Sequence, residues 1–304
     1  MVKFVKPVEE LVFAIKACTF VVVQMYLSQL SLYQMCLILF ALNAHPDYPF
    51  ILAANRDEFT KRPAHKAHWW HYFPQVLGGI DLEAGGTWLG MTTTGRFTAL
   101  TNVRDLSNIN PDAPSRGELT YKFLTQNLSG NDFADLLERK GKQYNGFNIL
   151  WGNAAEGELW WYSNYGKHTE KIQSGVHGVS NALLDTPWYK VEQGKMRVQE
   201  IINSNEANTP EVLTNALLAL LKDQTMPDDS RLPDTGVGIE WERQLSSIFI
   251  HAPEKQYGTR CSTVVLVNKN KSVSFTDRRF TPSFESGFLD ESPGQNSFTF
   301  SLHP

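Results

Sequence analysis

Cysteine is scarce in this chain: three residues, Cys18, Cys36 and Cys261, among 304. That number cannot staple a disulfide scaffold, and it fits a reducing compartment. No CxxC pair and no HxxxH spacing occurs, so the common zinc-binding patterns are missing. His65, His68 and His71 do cluster, but beside Trp69 and Trp70 and without a cysteine, and a surface loop is the plain reading. There is no excess of positive charge. Lys and Arg number 28 against 32 Asp and Glu, for a net charge of −4, so the electrostatic footprint of a nucleic-acid binder is absent. Residues 85–90 are glycine-rich but lack Lys-Ser/Thr and a following helix, which excludes a phosphate-cradling loop. No internal repeat is visible. No long apolar run is unbroken either: residues 11–33 are interrupted by Lys16, Gln24, Ser28 and Gln29, where a spanning helix wants about 20 mostly apolar residues.

What is present is enough hydrophobic sequence, 42% of residues, for one large domain or two small ones. The first 34 residues stand apart as an extension. Three readings fit them: a stretch upstream of the true start, a signal or anchor segment, or an amphipathic helix packed on the domain. Tyr33-Gln34-Met35 is not the small-x-small site a signal peptidase needs. From Met35 the texture changes. Cys36 follows Met35 directly and leads into a buried strand, residues 37–42. If Met35 is the start and is removed, Cys36 becomes a terminal residue that carries its own base. The thiol has a free pKa of about 8.5 and the α-amine about 7.7, so the amine can take the thiol proton.

A second strand is expected at residues 50–54, closed by the charged run Asn55-Arg56-Asp57-Glu58, and residues 60–76 read as a loop. Glycines punctuate hairpins with strands at 87–91 and 97–101. Ser115 with Glu118 has the spacing of a capping box for a helix through residue 126. Asn131 or Asp132 caps a short helix to Leu137. Strands return at 147–151 and 159–163, followed by helical spacing at 188–202 and 210–222. Thr209 caps the second of these helices, with Pro210 in its first position. Late strands are expected at 247–251, 262–268 and 272–277, and residues 281–304 read as a loose tail. Strands, helices, strands, helices, strands is not βαβ alternation; it predicts an α+β protein with antiparallel sheets layered by helices.

Several ordered motifs carry a family resemblance. NRDE (55–58), GGTWLG (85–90), LTNVRD (100–105), SRGEL (115–119), YNGFNIL (144–150), SNALLDTPWYK (180–190) and YGTRCSTVVLV (257–267) resemble the NRDE-motif family, the Transport and Golgi organisation protein 2 family, over residues 35–280. Members of that family normally begin Met-Cys, which favours Met35 as the start. The family in turn is similar to cysteine N-terminal-nucleophile hydrolases, whose fold is a four-layer αββα sandwich. The resemblance implies Cys36 as nucleophile, Asp57 as the group that orients the amine, Asn181 as oxyanion donor and Arg260 as a late site arginine. It places Arg56 and Asn102 at the edge as substrate-binding residues. Those enzymes separate their arginine and aspartate, whereas Arg56 and Asp57 are adjacent here.

Two functions follow as expectations. One is hydrolysis of a small non-peptide C–N or acyl bond. The other is a non-catalytic carrier of haem, lipid or acyl-CoA in trafficking, Golgi organisation and secretion. A structural or interaction module is a third and weaker reading. No resident cofactor or metal is expected; haem would need an axial ligand such as Cys36 or His45. The expected partner is a small-molecule substrate or ligand, acyl, haem or lipid in character, with no nucleic acid and no stable membrane insertion of the main domain. The expected location is cytoplasmic, with Golgi or mitochondrial association in a eukaryote.

Overall fold

The computed structural model describes residues 35–166, 168–204, 209–283 and 287–303. The extension over residues 1–34 lies outside them. The chain runs through β1 (Met35–Leu42), β2 (Phe50–Phe59), β3 (Ala64–Trp69), β4 (Val76–Asp81), β5 (Leu89–Thr92) and β6 (Arg96–Asn102). Helices α1 (Gly117–Thr125) and α2 (Gly130–Lys140) follow. Then come β7 (Phe147–Asn153), β8 (Glu158–Ser163), β9 (Thr169–Lys171) and β10 (Gly175–Val179). Helices α3 (Tyr189–Asn203), α4 (Pro210–Leu220) and the short α5 (Ile239–Gln244) precede β11 (His251–Ala252), β12 (Tyr257–Val267), β13 (Ser272–Ser283) and β14 (Gly287–Ser301).

Among the described residues these strands form two seven-stranded sheets. The first has the order β10-β1-β2-β12-β13-β14, with β11 paired to β12; the second is a simple meander from β3 to β9. Every strand pair is antiparallel. Side chains alternate across a strand, and that alternation assigns the layers. Ile38, Phe40 and Leu52 of the first sheet meet Leu77, Met91, Phe97 and Leu150 of the second. Their neighbours Leu37, Leu39 and Ile51 point the other way, onto Val191 and Val198 of α3 and Leu213 and Leu217 of α4. On the far side, Phe147, Ile149 and Trp151 pack under Leu119 and Phe123 of α1 and Phe133 and Leu137 of α2. Each such buried side chain contributes about 1.5–3 kcal/mol. The result is the expected α+β architecture, an αββα sandwich in four layers.

Several local readings differ. The loop at 60–76 contains β3. The Ser115–Glu118 box does not form: α1 is preceded by Arg116 with no side-chain cap, and Glu118 instead takes hydrogen bonds from Tyr144 and Lys122. The next helix begins earlier than expected, on Ser129, which closes a reciprocal box with Asp132. Thr209 caps α4 as expected, accepting from the Val212 N–H. Only His251 of the strand expected at 247–251 is extended. The loose tail is corrected most plainly. Residues 287–301 form β14, paired along β13. Phe298 and Phe300 alternate with polar residues and pack their rings on Trp69, and Leu302 is buried. That is the period-two pattern of a half-buried strand.

Candidate functional site

The strands of the first sheet bring NRDE, Met35-Cys36 and YGTRC to one end of the sandwich. Cys36 lies opposite Arg56, and Met35 opposite Asp57. On the other flank of β2, Thr259 faces Asp57 and Cys261 faces Arg56, with a bulge at Arg260 between them. Cys36 is the single residue of β1 that is not fully buried. The Asp57 backbone N–H bonds its thiol, but burial and then the Asp57 carboxylate push that thiol up to about 12, while Arg56 opposes them.

Asp57 is enclosed. Its Oδ1 accepts from Thr259 Oγ1 at 2.6 Å, and its Oδ2 has no protein partner. Burial pushes the carboxyl above its usual range, with Lys190 and the Thr259 bond holding it down in part. Lys190, in the first turn of α3, is 1% exposed and its Nζ also lacks a hydrogen-bond partner. Burial pulls the ammonium below its ordinary value, against the attraction of Asp57. Tyr257, fully buried, is raised by burial and by Asp57.

Arg56 extends to the second sheet. Its Nη2 lies 3.1 Å from Asp81 and 3.4 Å from Glu58, and its guanidinium stacks 4.7 Å from the Trp88 ring centre. Arg62 joins the same network through Asp81 at 2.7 Å. Arg116 interacts electrostatically with Glu58 and the Cys36 thiol and donates to the Gly146 carbonyl at 3.1 Å. It is brought there by a close approach of the loop before β5 to the first residue of α1. A Cβ on Gly86 would stand 2.5 Å from the Gly117 carbonyl carbon, so the glycine lets the backbones touch.

Ser180 and Asn181 follow β10 directly, beside Cys36. Ser180 Oγ lies 2.9 Å from both the Cys36 carbonyl and Asn181 Oδ1, so its one proton is shared. Asn181 Nδ2 donates to the Asn102 carbonyl at 3.0 Å, tying the ends of the two sheets together. Arg260 is placed differently. The bulge turns it toward the end of β2, where Nη1 donates to the Phe59 and Thr60 carbonyls, each at 2.9 Å. The structure therefore gathers Cys36, Arg56, Asp57 and Asn181, sets Asn102 behind Asn181, and leaves Arg260 at the rim. His45 lies in the turn beyond the far end of β1. Its Nδ1 accepts the Asp47 and Tyr48 N–H groups. Among the described residues no group of three or more His, Cys, Asp or Glu is arranged to hold a metal.

Sequence reasoning missed Ser180, Lys190, Tyr257, Arg104 and Arg116. Each lies inside a recognised motif: Ser180 opens and Lys190 closes SNALLDTPWYK, Arg104 is in LTNVRD, Arg116 in SRGEL, and Tyr257 opens YGTRC. Membership of these motifs was the available signal.

Comparison with known proteins gives the relationship. The model of the Transport and Golgi organisation 2 family matches residues 35–282. A Bos taurus Transport and Golgi organization protein 2 homolog is 37% identical over 262 residues, 80% of this chain and 92% of its own. The Drosophila melanogaster Transport and Golgi organization protein 2 is 32% identical over 268 residues, 81% and 93% of the two chains. Among solved structures, a Caenorhabditis elegans ortholog of N-acylethanolamine-hydrolyzing acid amidase has 11% identity and a TM-score of 0.39, covering 75% of this chain and 92% of that one. A conjugated bile acid hydrolase from Clostridium perfringens has 10% identity and a TM-score of 0.37, covering 89% and 97%. On the family match and the relatives of similar length, this chain belongs to the Transport and Golgi organisation 2 family.

Proposed function

We propose that the protein is a cysteine hydrolase of a small non-peptide C–N or acyl bond, active once Cys36 is the first residue. The observation that supports this most is the register at the end of β1: a partly exposed cysteine beside a buried carboxylate, Asp57, whose Oδ2 has no protein partner. With Met35 attached, the Cys36 nitrogen is an amide and the thiol has no base. With Met35 removed, that nitrogen is a free α-amine next to Asp57, which orients it and offsets the positive charge it gains on accepting the thiol proton. The amine takes the thiol proton and Sγ attacks the carbonyl carbon. The leaving amine or thiol receives the proton, and water then cleaves the thioester. Asn181 uses one N–H on Asn102, and its second is available to the oxyanion, a contact typically worth about 2.7–4 kcal/mol. Arg116, close to Cys36, suits a substrate carboxylate, and Arg260 serves by holding the end of β2.

The second reading is a carrier of an acyl, lipid or haem ligand in trafficking, in line with the relatives' names. It is favoured by the raised Cys36 thiol, which stays protonated and inert while the Met35 peptide is intact. In either case the partner is a small molecule and the proposed location is cytoplasmic. Among the described residues no helix is long and apolar enough to cross a membrane.

The test is to express from Met35, establish by intact mass that Cys36 is terminal, and assay N-acyl amides and thioesters beside the full chain. Turnover is expected from the Cys36-terminal form alone and is lost in Cys36→Ala. Equal turnover by Cys36→Ala refutes the hydrolase. Saturable acyl or haem binding that ignores both Cys36→Ala and the start site supports the carrier.

A further inference from the structure

Behind Asp57, on the helix side of the first sheet, lies a cleft that the chemistry of Cys36 does not use. It is narrow, its roughly 230 Å³ of empty space being mostly open mouth, and is lined by Arg104, Trp188, Lys190, Arg231, Glu242 and their neighbours. Arg104, in the turn after β6, has a side chain only 2% exposed. Its guanidinium stacks 4.7 Å from the Trp188 ring centre, and one nitrogen, Nη2, lies 3.1 Å from Glu242 Oε2. Its other two nitrogens, Nε and Nη1, have no protein acceptor, and neither has Lys190 Nζ. Glu242 is committed elsewhere too, since its Oε1 accepts from the Thr235 N–H and hydroxyl at 2.8 and 2.7 Å. Arg231 is engaged by Glu192 at 2.9 Å.

Buried cationic donors without acceptors are costly, because each has given up water for nothing. Here three such nitrogens belong to two side chains that line the same cleft. The cleft also meets the first turn of α3, a 15-residue helix whose N-cap Trp188 offers no side-chain bond to the free N–H groups. We propose that this cleft is a binding subsite for a small oxyanion, a carboxylate or phosphate head group, held by Arg104 and Lys190 with Trp188 as its apolar wall. The free Nε–H and Nη1–H groups of Arg104 lie on opposite edges of the guanidinium, so an oxyanion would take a single charge-assisted bond from Arg104 and another from Lys190 Nζ. Lys190 stands between this cleft and Asp57, so an anion bound here would draw its ammonium toward the cleft and away from Asp57. The inference does not depend on whether Cys36 reacts.

The experiment is calorimetric titration of the full chain at low ionic strength, with inorganic phosphate in one arm and butyrate in the other. Saturable binding with Kd of about 1 mM or tighter is expected in at least one arm. The arm that binds identifies the head group. Arg104→Gln and Lys190→Met should each weaken it about tenfold or more, the loss of a charge-assisted bond. Glu242→Gln keeps an acceptor for Thr235 but removes the competing charge on Arg104, and should tighten binding by about threefold or more. A gain of affinity cannot come from misfolding, so this variant decides the matter if the other two do not fold. No saturation in either arm overturns the proposal, as does affinity indifferent to Arg104→Gln, or unchanged or weakened by Glu242→Gln. Cys36→Ala, titrated alongside, should bind as the parent does, so failure of the anion site and failure of the hydrolase reading are separable.

Discussion

Thr259→Val isolates what holds Asp57 in place. Valine has nearly the same shape, and Thr259 is fully buried, so packing is retained. Two hydrogen bonds are lost. Thr259 Oγ1 donates to Asp57 at 2.6 Å, a charge-assisted bond worth about 1.5–3 kcal/mol. The same oxygen accepts the Ile250 N–H at 2.9 Å, and leaving that group unmet in the interior costs about 1–3 kcal/mol. The expected loss is about 3–5 kcal/mol near pH 8. Thr259→Ser keeps the hydroxyl and should lose only about 1 kcal/mol for the methyl group. The deficit also depends on pH, and the sign follows from Asp57. Its native pKa lies above its unfolded value, so ionised Asp57 costs the folded state stability as pH rises through that range. Removing the Thr259 donor raises the native pKa further. The gap between Thr259→Val and the parent should therefore widen from pH 4 to pH 8. Urea unfolding at both pH values measures it. A loss below about 0.5 kcal/mol, or one that is the same at both pH values, refutes the placement of Asp57 in this bond.

Other outcomes follow from the same geometry. With the Met35 peptide intact, the Cys36 thiol is pushed up to about 12, so its alkylation by iodoacetamide at pH 7 should be at least about a hundredfold slower than that of a free cysteine, read by intact mass. Asp185 accepts from His177 at 2.7 Å and Lys195 at 2.6 Å, and despite the opposing effect of burial these bonds hold its carboxyl at about 2. Its stabilisation is therefore present above about pH 4 and lost as pH falls toward 2. Asp185→Ala should cost about 1–2 kcal/mol at neutral pH, discounted for its partial exposure, and much less at pH 2.5 in thermal melts. Gly86→Ala forces a methyl against the Gly117 backbone and should cost about 1–3 kcal/mol, with a matching fall in melting temperature. A melting temperature unchanged by that substitution would show that the Gly86 loop and the start of α1 are not in contact.

The sequence by itself determined the layers. Strands such as 37–42 and 50–54 alternate between two buried faces, and that alternation required cover on both sides: a second sheet on one, α3 and α4 on the other. It also determined the Thr209-Pro210 helix start, because capping is local chemistry within four residues. The constellation around Cys36 was legible through the resemblance of its motifs to a known family; the residue types alone did not single it out. Tertiary structure decided the rest. Ser115 and Glu118 have the spacing of a capping box, but Glu118 is drawn to Tyr144, a partner 26 residues away. The direction of Arg260 is set by a bulge that exists only once β12 pairs with β2. Lys190 reads as an ordinary first-turn lysine until α3 is laid against the sheet and buries it over Asp57. The Phe-x-Phe-x-Leu alternation at the C-terminus has meaning only when β13 offers an edge to pair with. Local propensity and periodicity fix which face of an element is apolar; which distant charge a side chain meets is fixed by packing, where burial multiplies the strength of every electrostatic contact.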